Sequence, residues 1–175
     1  MRRHRPLVDV LLAAAALVAV PAATAAKPRG FTPAVLAGTW TGTWHNQTFN
    51  TTGTLTLKIG AKGSALRLTA AIAGNPFGCT APGQQTFTVP AGSGPNRWTA
   101  KGFSISNPSP AFGTMNVTYM YPGGSLSGSG KDPACAPGIS WSLDGMFTTK
   151  QFNATAHIAL PEGGSATTVV SLAKK

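Results

Sequence analysis

The sequence predicts an all-β protein, most simply an antiparallel up-and-down β-barrel of about eight to ten strands carrying one disulfide. Three observations lead there. Apolar and small polar residues alternate with a period of two through most of the chain. Gly, Pro, Asn or Ser clusters interrupt that alternation roughly every 8 to 12 residues, the spacing of short strands and tight turns. A single stretch has the makings of a helix. Consecutive strands joined by short turns tend to pair, and closure removes exposed edges, so a barrel is preferred to the alternative, a β-sandwich.

Each element follows from its own residues. Thr32-Pro33-Ala34-Val35-Leu36 is the helical candidate, with Thr as cap and Pro at the first helical position. The first strand follows at once through Trp40 and Trp44. Leu55, Leu57 and Ile59 alternate with Thr54, Thr56 and Lys58, and after the turn 60–64 the pattern resumes at Leu66, Leu68, Ala70 and Ile72, which makes a hairpin with one buried face. Phe87 and Val89 mark another strand, and 92–96 a turn. Trp98 and Ala100 then have one parity while Phe103 and Ile105 have the other, and a bulge near Gly102 would reconcile them. Met115, Val117, Tyr119 and Tyr121 form an inward stripe, ended by Pro122-Gly123-Gly124. The Gly/Ser strand 125–131 has little to pack. Ile139, Trp141 and Leu143 come next, then Phe152 to Leu160 in alternation, the turn 161–164, and a last strand from Ala166 to Leu172.

Ahead of these elements, a basic start at Arg2, Arg3 and Arg5, an apolar run over 7–20 and the small-residue stretch 22–26 read as a secretory signal peptide. The run is short of the roughly 20 residues needed to span a bilayer, and Asp9 interrupts it. The expected organisation is a cleaved signal over 1–26 and a single domain over 27–175, secreted or periplasmic, with no transmembrane segment in the mature chain. Cys79 and Cys135 both fall in the exported part, in small-residue loops, and are expected to pair in an oxidising compartment. An outer-membrane barrel is not expected, because the strand ends lack paired aromatic girdles.

The inventory for catalysis is thin. The exported part keeps 11 of the 14 Lys and Arg and three of the four acids, Asp132, Asp144 and Glu162, with His45 and His157 as its histidines. Asp132 sits in a Pro/Cys loop and Glu162 in a hairpin turn, so no two carboxylates are expected to face one another across a cleft. Both histidines have the parity opposite to their apolar neighbours and should point to solvent. Neither cysteine has histidines near it at ligand spacing, and no nucleophile elbow or phosphate loop is present, so no catalytic residue, metal or cofactor is expected. The basic residues, Lys58, Lys62, Arg67, Arg97, Lys101, Lys131 and Lys150 among them, are spread singly. That distribution favours weak attraction to anionic envelope polymers over specific nucleic-acid binding.

The most informative stretch is Gly38-Thr39-Trp40 followed by Gly42-Thr43-Trp44-His45-Asn46, two Gly-x-Trp units behind a helical turn. Here the chain resembles the calycins, the lipocalin and avidin group, in which a Gly-x-Trp opens the first strand and its indole packs across one barrel end. The second unit is similar to the first strand of avidins, and that resemblance implies a ligand-facing role for Asn46. The later avidin pattern departs: this chain offers Trp98 and Trp141 and no acid after Glu162, so biotin is not the expected ligand. The sequence reading is a non-catalytic barrel that binds a small apolar or amphipathic ligand, or a cell-envelope component, against an inner face drawn from Trp44, Asn46, Trp98, Phe103, Tyr119 and Trp141. The competing expectations are an interaction module with a filled barrel and, behind it, an enzyme with a barrel-mouth pocket. Oligomeric state is left open.

Overall fold

The computed structural model describes residues 33–79, 83–121 and 123–175, and the expected signal segment lies outside them. The helical turn α1 (Pro33–Leu36) leads into eleven strands: β1 (Gly38–Asn46), β2 (Thr51–Lys62), β3 (Ala65–Ile72), β4 (Gly83–Pro90), β5 (Arg97–Thr99), β6 (Gly102–Ser109), β7 (Gly113–Met120), β8 (Ser125–Lys131), β9 (Ser140–Phe147), β10 (Gln151–Ala159) and β11 (Ser165–Lys174). They form one sheet in the order β4-β3-β2-β1-β11-β10-β9-β8-β7-β6-β5. The expected antiparallel up-and-down barrel is therefore present and nearly closed.

The first and last strands pair with each other, from Trp40↔Lys174 to Asn46↔Thr168, so the seam falls inside the chain, between β4 and the β5–β6 hairpin. Among the described residues it is held by one parallel bridge, between Ala91 and Trp98, and by side chains. Ser109 Oγ donates to Gln85 Oε1 at 3.3 Å, and the Phe87 and Phe112 rings approach to 6.5 Å between centroids. Both strands flanking the seam carry a proline, Pro90 and Pro108, which has no N–H to contribute to a ladder.

The strand count exceeds the expected range of about eight to ten for a local reason. The parity change near Gly102 is a hairpin rather than a bulge: Trp98 pairs with Phe103 and Thr99 with Gly102, and the chain reverses through Ala100 and Lys101. Ala-Lys is not among the residue pairs that announce a two-residue turn, so the reversal left no mark in the sequence.

Inward residues divide the barrel by height. At one end Leu36, Trp40, Leu66, Val89, Tyr119 and Tyr121 are almost completely buried. Trp40 closes this end: its Nε1 donates to the Leu36 carbonyl at 2.9 Å, its ring meets Phe147 edge-on at 5.0 Å, and Lys174 Nζ lies 5.4 Å from the ring centroid. The same lysine donates to the Val35 carbonyl at 2.6 Å, tying the last strand to α1. At the other end the loop after β3 and the loop after β8 come from opposite sides of the barrel and are joined by the Cys79–Cys135 disulfide (S–S 2.03 Å, Cα–Cα 5.9 Å). A disulfide is consistent with an extracellular or periplasmic location. No helix among the described residues is long and apolar enough to cross a membrane.

The Gly/Ser strand β8 proves to have a packing role. Gly128 and Gly130 lie beneath the indole of Trp141, and a Cβ on Gly130 would sit 2.6 Å from that ring. The absent side chains make room for the tryptophan of the neighbouring strand.

Candidate functional site

Between the packed end and the disulfide-tied loops the barrel holds a cavity of about 230 Å³. Its wall is built from the inward register of nearly every strand: Trp44 on β1, Leu55 and Leu57 on β2, Leu68 and Ile72 on β3, Val117 on β7, Trp141 and Leu143 on β9, and Thr168 and Val170 on β11. Leu55, Leu57, Ile72, Val117 and Leu143 pack against the core and are only partly buried where they border the cavity. Pro76 and Phe77, from the loop that carries Cys79, close the wall toward the mouth.

The two tryptophans of the wall are fixed from behind. Trp44 donates Nε1 to the Ala73 carbonyl at 2.9 Å, and Gly53 and Gly74 leave space for its ring. Trp141 donates Nε1 to the Phe112 carbonyl at 2.9 Å. With both indole N–H groups bonded to backbone, the rings present apolar faces to the cavity. Phe103, also expected on the inner face, is buried and contributes to the wall.

The other expected ligand-facing residues stand elsewhere. Tyr119 packs in the closed end, stacked on Phe103 at 5.2 Å and edge-on to Tyr121 at 5.3 Å. Trp98, on the short β5, is half-buried against the core near the seam, outside the cavity lining. Asn46 is buried, but its Oδ1 accepts from the backbone N–H groups of Thr48 and Phe49, each at 3.0 Å. It fastens the β1–β2 turn through that oxygen. Residues of the lining that sequence reading passed over include Pro76, Phe77, Phe112 and Thr168. Thr168 carried a signal: it occupies an inward position in the otherwise apolar alternation Ala166, Val170, Leu172.

Beside the mouth, a depression is bordered by Asn46, Phe49, Pro76, Phe77, Ile139 and Leu160. Phe49 is 56% exposed there. Phe77 borders this depression on one side and the cavity on the other.

The titratable groups lie away from the cavity. His45 and His157 are exposed, as are Asp132, Asp144 and Glu162. His45 Nε2 lies 3.2 Å from Asn50 Oδ1, and Asp132 Oδ1 accepts from the Gly138 N–H at 3.0 Å. Among the described residues no group of three His, Cys, Asp or Glu side chains is placed to hold a metal ion.

No protein-family model matches the chain, and no curated protein matches it. Among solved structures it is similar to the crystal structure of a protein with unknown function of the DUF3598 family from Nostoc punctiforme, with a TM-score of 0.54 and 14% identity. The similarity covers 83% of this chain and 50% of that one, so this chain spans half the length of its structural neighbour. The likeness is one of fold, a nearly closed antiparallel β-barrel, and this chain's own interior adds a cavity walled by apolar side chains.

Proposed function

We propose that this protein is a non-catalytic binding protein that takes up a small apolar or amphipathic molecule, or the apolar part of a cell-envelope component, into the barrel interior. The observation that carries this reading is the cavity of about 230 Å³ between a sealed barrel end and a strapped mouth. A cavity of about 150 Å³ with comparable walls stays dry and binds benzene, so the water-free alternative to an empty interior is an apolar occupant.

The position of Trp40 across one barrel end, with α1 packed below it, adds support, since it is the arrangement that the calycin resemblance implied. A barrel serving only as an interaction module would gain stability by filling its centre with larger side chains. Phe77, shared between the cavity and the outer depression, is the natural entry point, and export through a signal peptide would place the protein where the disulfide forms.

Native mass spectrometry of protein purified without denaturation, combined with titration of the apolar fluorophore N-phenyl-1-naphthylamine, tests the reading. Added mass from a copurified molecule, or saturable fluorescence enhancement abolished by Ala70→Phe, which projects a ring into the cavity, is expected. A bare mass in several preparations together with no fluorescence enhancement would shift the assignment to the interaction module.

A further inference from the structure

The basic residues that stand singly along the sequence are gathered in space by the meander. Lys58, Lys62 and Arg67 stand where β2 turns into β3, Lys101 between β5 and β6, and Lys150 between β9 and β10, all of them turns at the closed end of the barrel. All five side chains are exposed. Lys175, also exposed, follows β11 at the same end, beside Lys174, which is turned back onto Trp40 and the Val35 carbonyl. Among the described residues the remaining Lys and Arg are Arg97, on β5, and Lys131, at the mouth. The acids are placed oppositely. Asp132 and Glu162 lie in mouth turns, and Asp144 lies partway along β9.

The sheet order spreads these cations round the rim, from β3 and β2 through β11 to the β9–β10 and β5–β6 turns. Among the described residues none of them borders the cavity or the depression beside the mouth. A single nucleic-acid strand is held in a basic groove lined with stacking aromatics, whereas a rim of cations on a convex end matches an extended plane of negative charge. Two exposed apolar side chains stand in the same rim. Met120 and Met146, 43% and 49% exposed, are both cross-strand from Ser125, in the sector between Lys101 and Lys150.

We propose that the closed end is a docking face for an anionic membrane surface. Its lysines and arginine meet the phosphate headgroups, and the two methionines enter the interfacial layer. Docking in this way points the mouth away from the bilayer. The proposal is independent of what the cavity holds.

Co-sedimentation with vesicles of equal parts phosphatidylglycerol and phosphatidylcholine tests it. Binding is expected to these vesicles and not to phosphatidylcholine alone, and to be lost in about 1 M salt, where the screening length falls to about 3 Å. Each cation brought to the surface contributes about fivefold in partition, so Lys62→Gln with Lys150→Gln should weaken binding about 25-fold. Lys131→Gln, at the mouth, should leave it within about twofold. Adding Asp132→Asn and Glu162→Gln to the double variant restores the net charge at the opposite end and should not restore binding. Met120→Ser with Met146→Ser should weaken binding about tenfold by removing apolar contact. Recovery in the charge-restored variant would overturn the docking face, since net charge alone would then account for the binding. Binding of soluble polyphosphate without partition to vesicles would overturn the membrane as partner and assign a polyanionic chain instead. No binding to vesicles or polyphosphate would overturn the proposal altogether.

Discussion

Trp40 and Trp44 stand four residues apart on the inner face of β1, yet one seals the barrel and the other lines its cavity. The difference lies in what each ring meets: Trp40 meets α1, Phe147 and the Lys174 ammonium, while Trp44 is anchored at the Ala73 carbonyl and borders the cavity. Beside Trp40, Tyr119 and Tyr121 are buried with unpartnered hydroxyls. Both phenols are pushed from their ordinary 10 up to about 12, by burial first and, for Tyr119, with a contribution from the neighbouring Tyr121. Between about pH 10 and about pH 12 the unfolded chain has lost these protons and the folded chain retains them, so the protons held by the native state make stability fall as pH rises through that window. Below pH 10 these groups add no pH dependence. The chain has two tyrosines, so its tyrosinate absorbance in the ultraviolet reports on this pair alone. Titration of the native protein should show ionisation delayed toward pH 12, coinciding with alkaline unfolding; ordinary titration near pH 10 with the fold intact would contradict the burial of both rings.

At the scale of elements, neighbouring strands divide the interior between them. β8 supplies glycine where β9 supplies Trp141, and a cross-strand pair of two large residues at Gly130↔Trp141 would not fit. Gly130→Ala is therefore expected to cost about 1–3 kcal/mol, the penalty of forcing an atom into an occupied space. Gly60→Ala on β2, where an added Cβ meets nothing within 4 Å, should be neutral or slightly stabilising through the lost freedom of the unfolded chain. Chemical denaturation of the two variants separates a packing role for Gly130 from a general glycine effect, since a purely conformational effect would move both alike. The β5–β6 hairpin and the seam beside it belong to the same scale. β5 is only three residues long, so most of β6 facing the seam relies on side chains such as Ser109 and Phe112 in place of a ladder.

For the whole molecule, the long-range constraint is the covalent one. Cys79 and Cys135 are 56 residues apart, and in the chain-entropy model a closure of that length stabilises the fold by about 4 kcal/mol. Replacing both with serine should lower the free energy of unfolding by that order, read from denaturant midpoints, and keep the β-sheet circular dichroism. Because the disulfide holds the loop that carries Phe77 across the mouth, the same variant should take up and release an apolar probe faster while changing its equilibrium affinity less. Unchanged exchange rates would mean that the probe enters elsewhere, with the seam between β4 and β6 the next route to examine.

The strands, the disulfide partners and the inward stripes could be read from the residues because they depend on short-range rules: a period of two, turn residues at strand ends, and two cysteines in an oxidising compartment. Trp44 and Trp141 were legible as inner-face residues for the same reason. Parity alone does not give height along the barrel, which is why Tyr119 fell in the packed end and Trp98 beside the seam. Asn46 looked available for a ligand because the Thr48 and Phe49 N–H groups that bond its Oδ1 come within reach only once the β1–β2 turn is in place. The Ala100–Lys101 reversal, the seam inside the chain and the empty centre were decided only by the tertiary structure. Each depends on distances across the barrel, set by how eleven strands twist and curl together, and no local pattern of residues encodes whether facing side chains meet or leave a space between them.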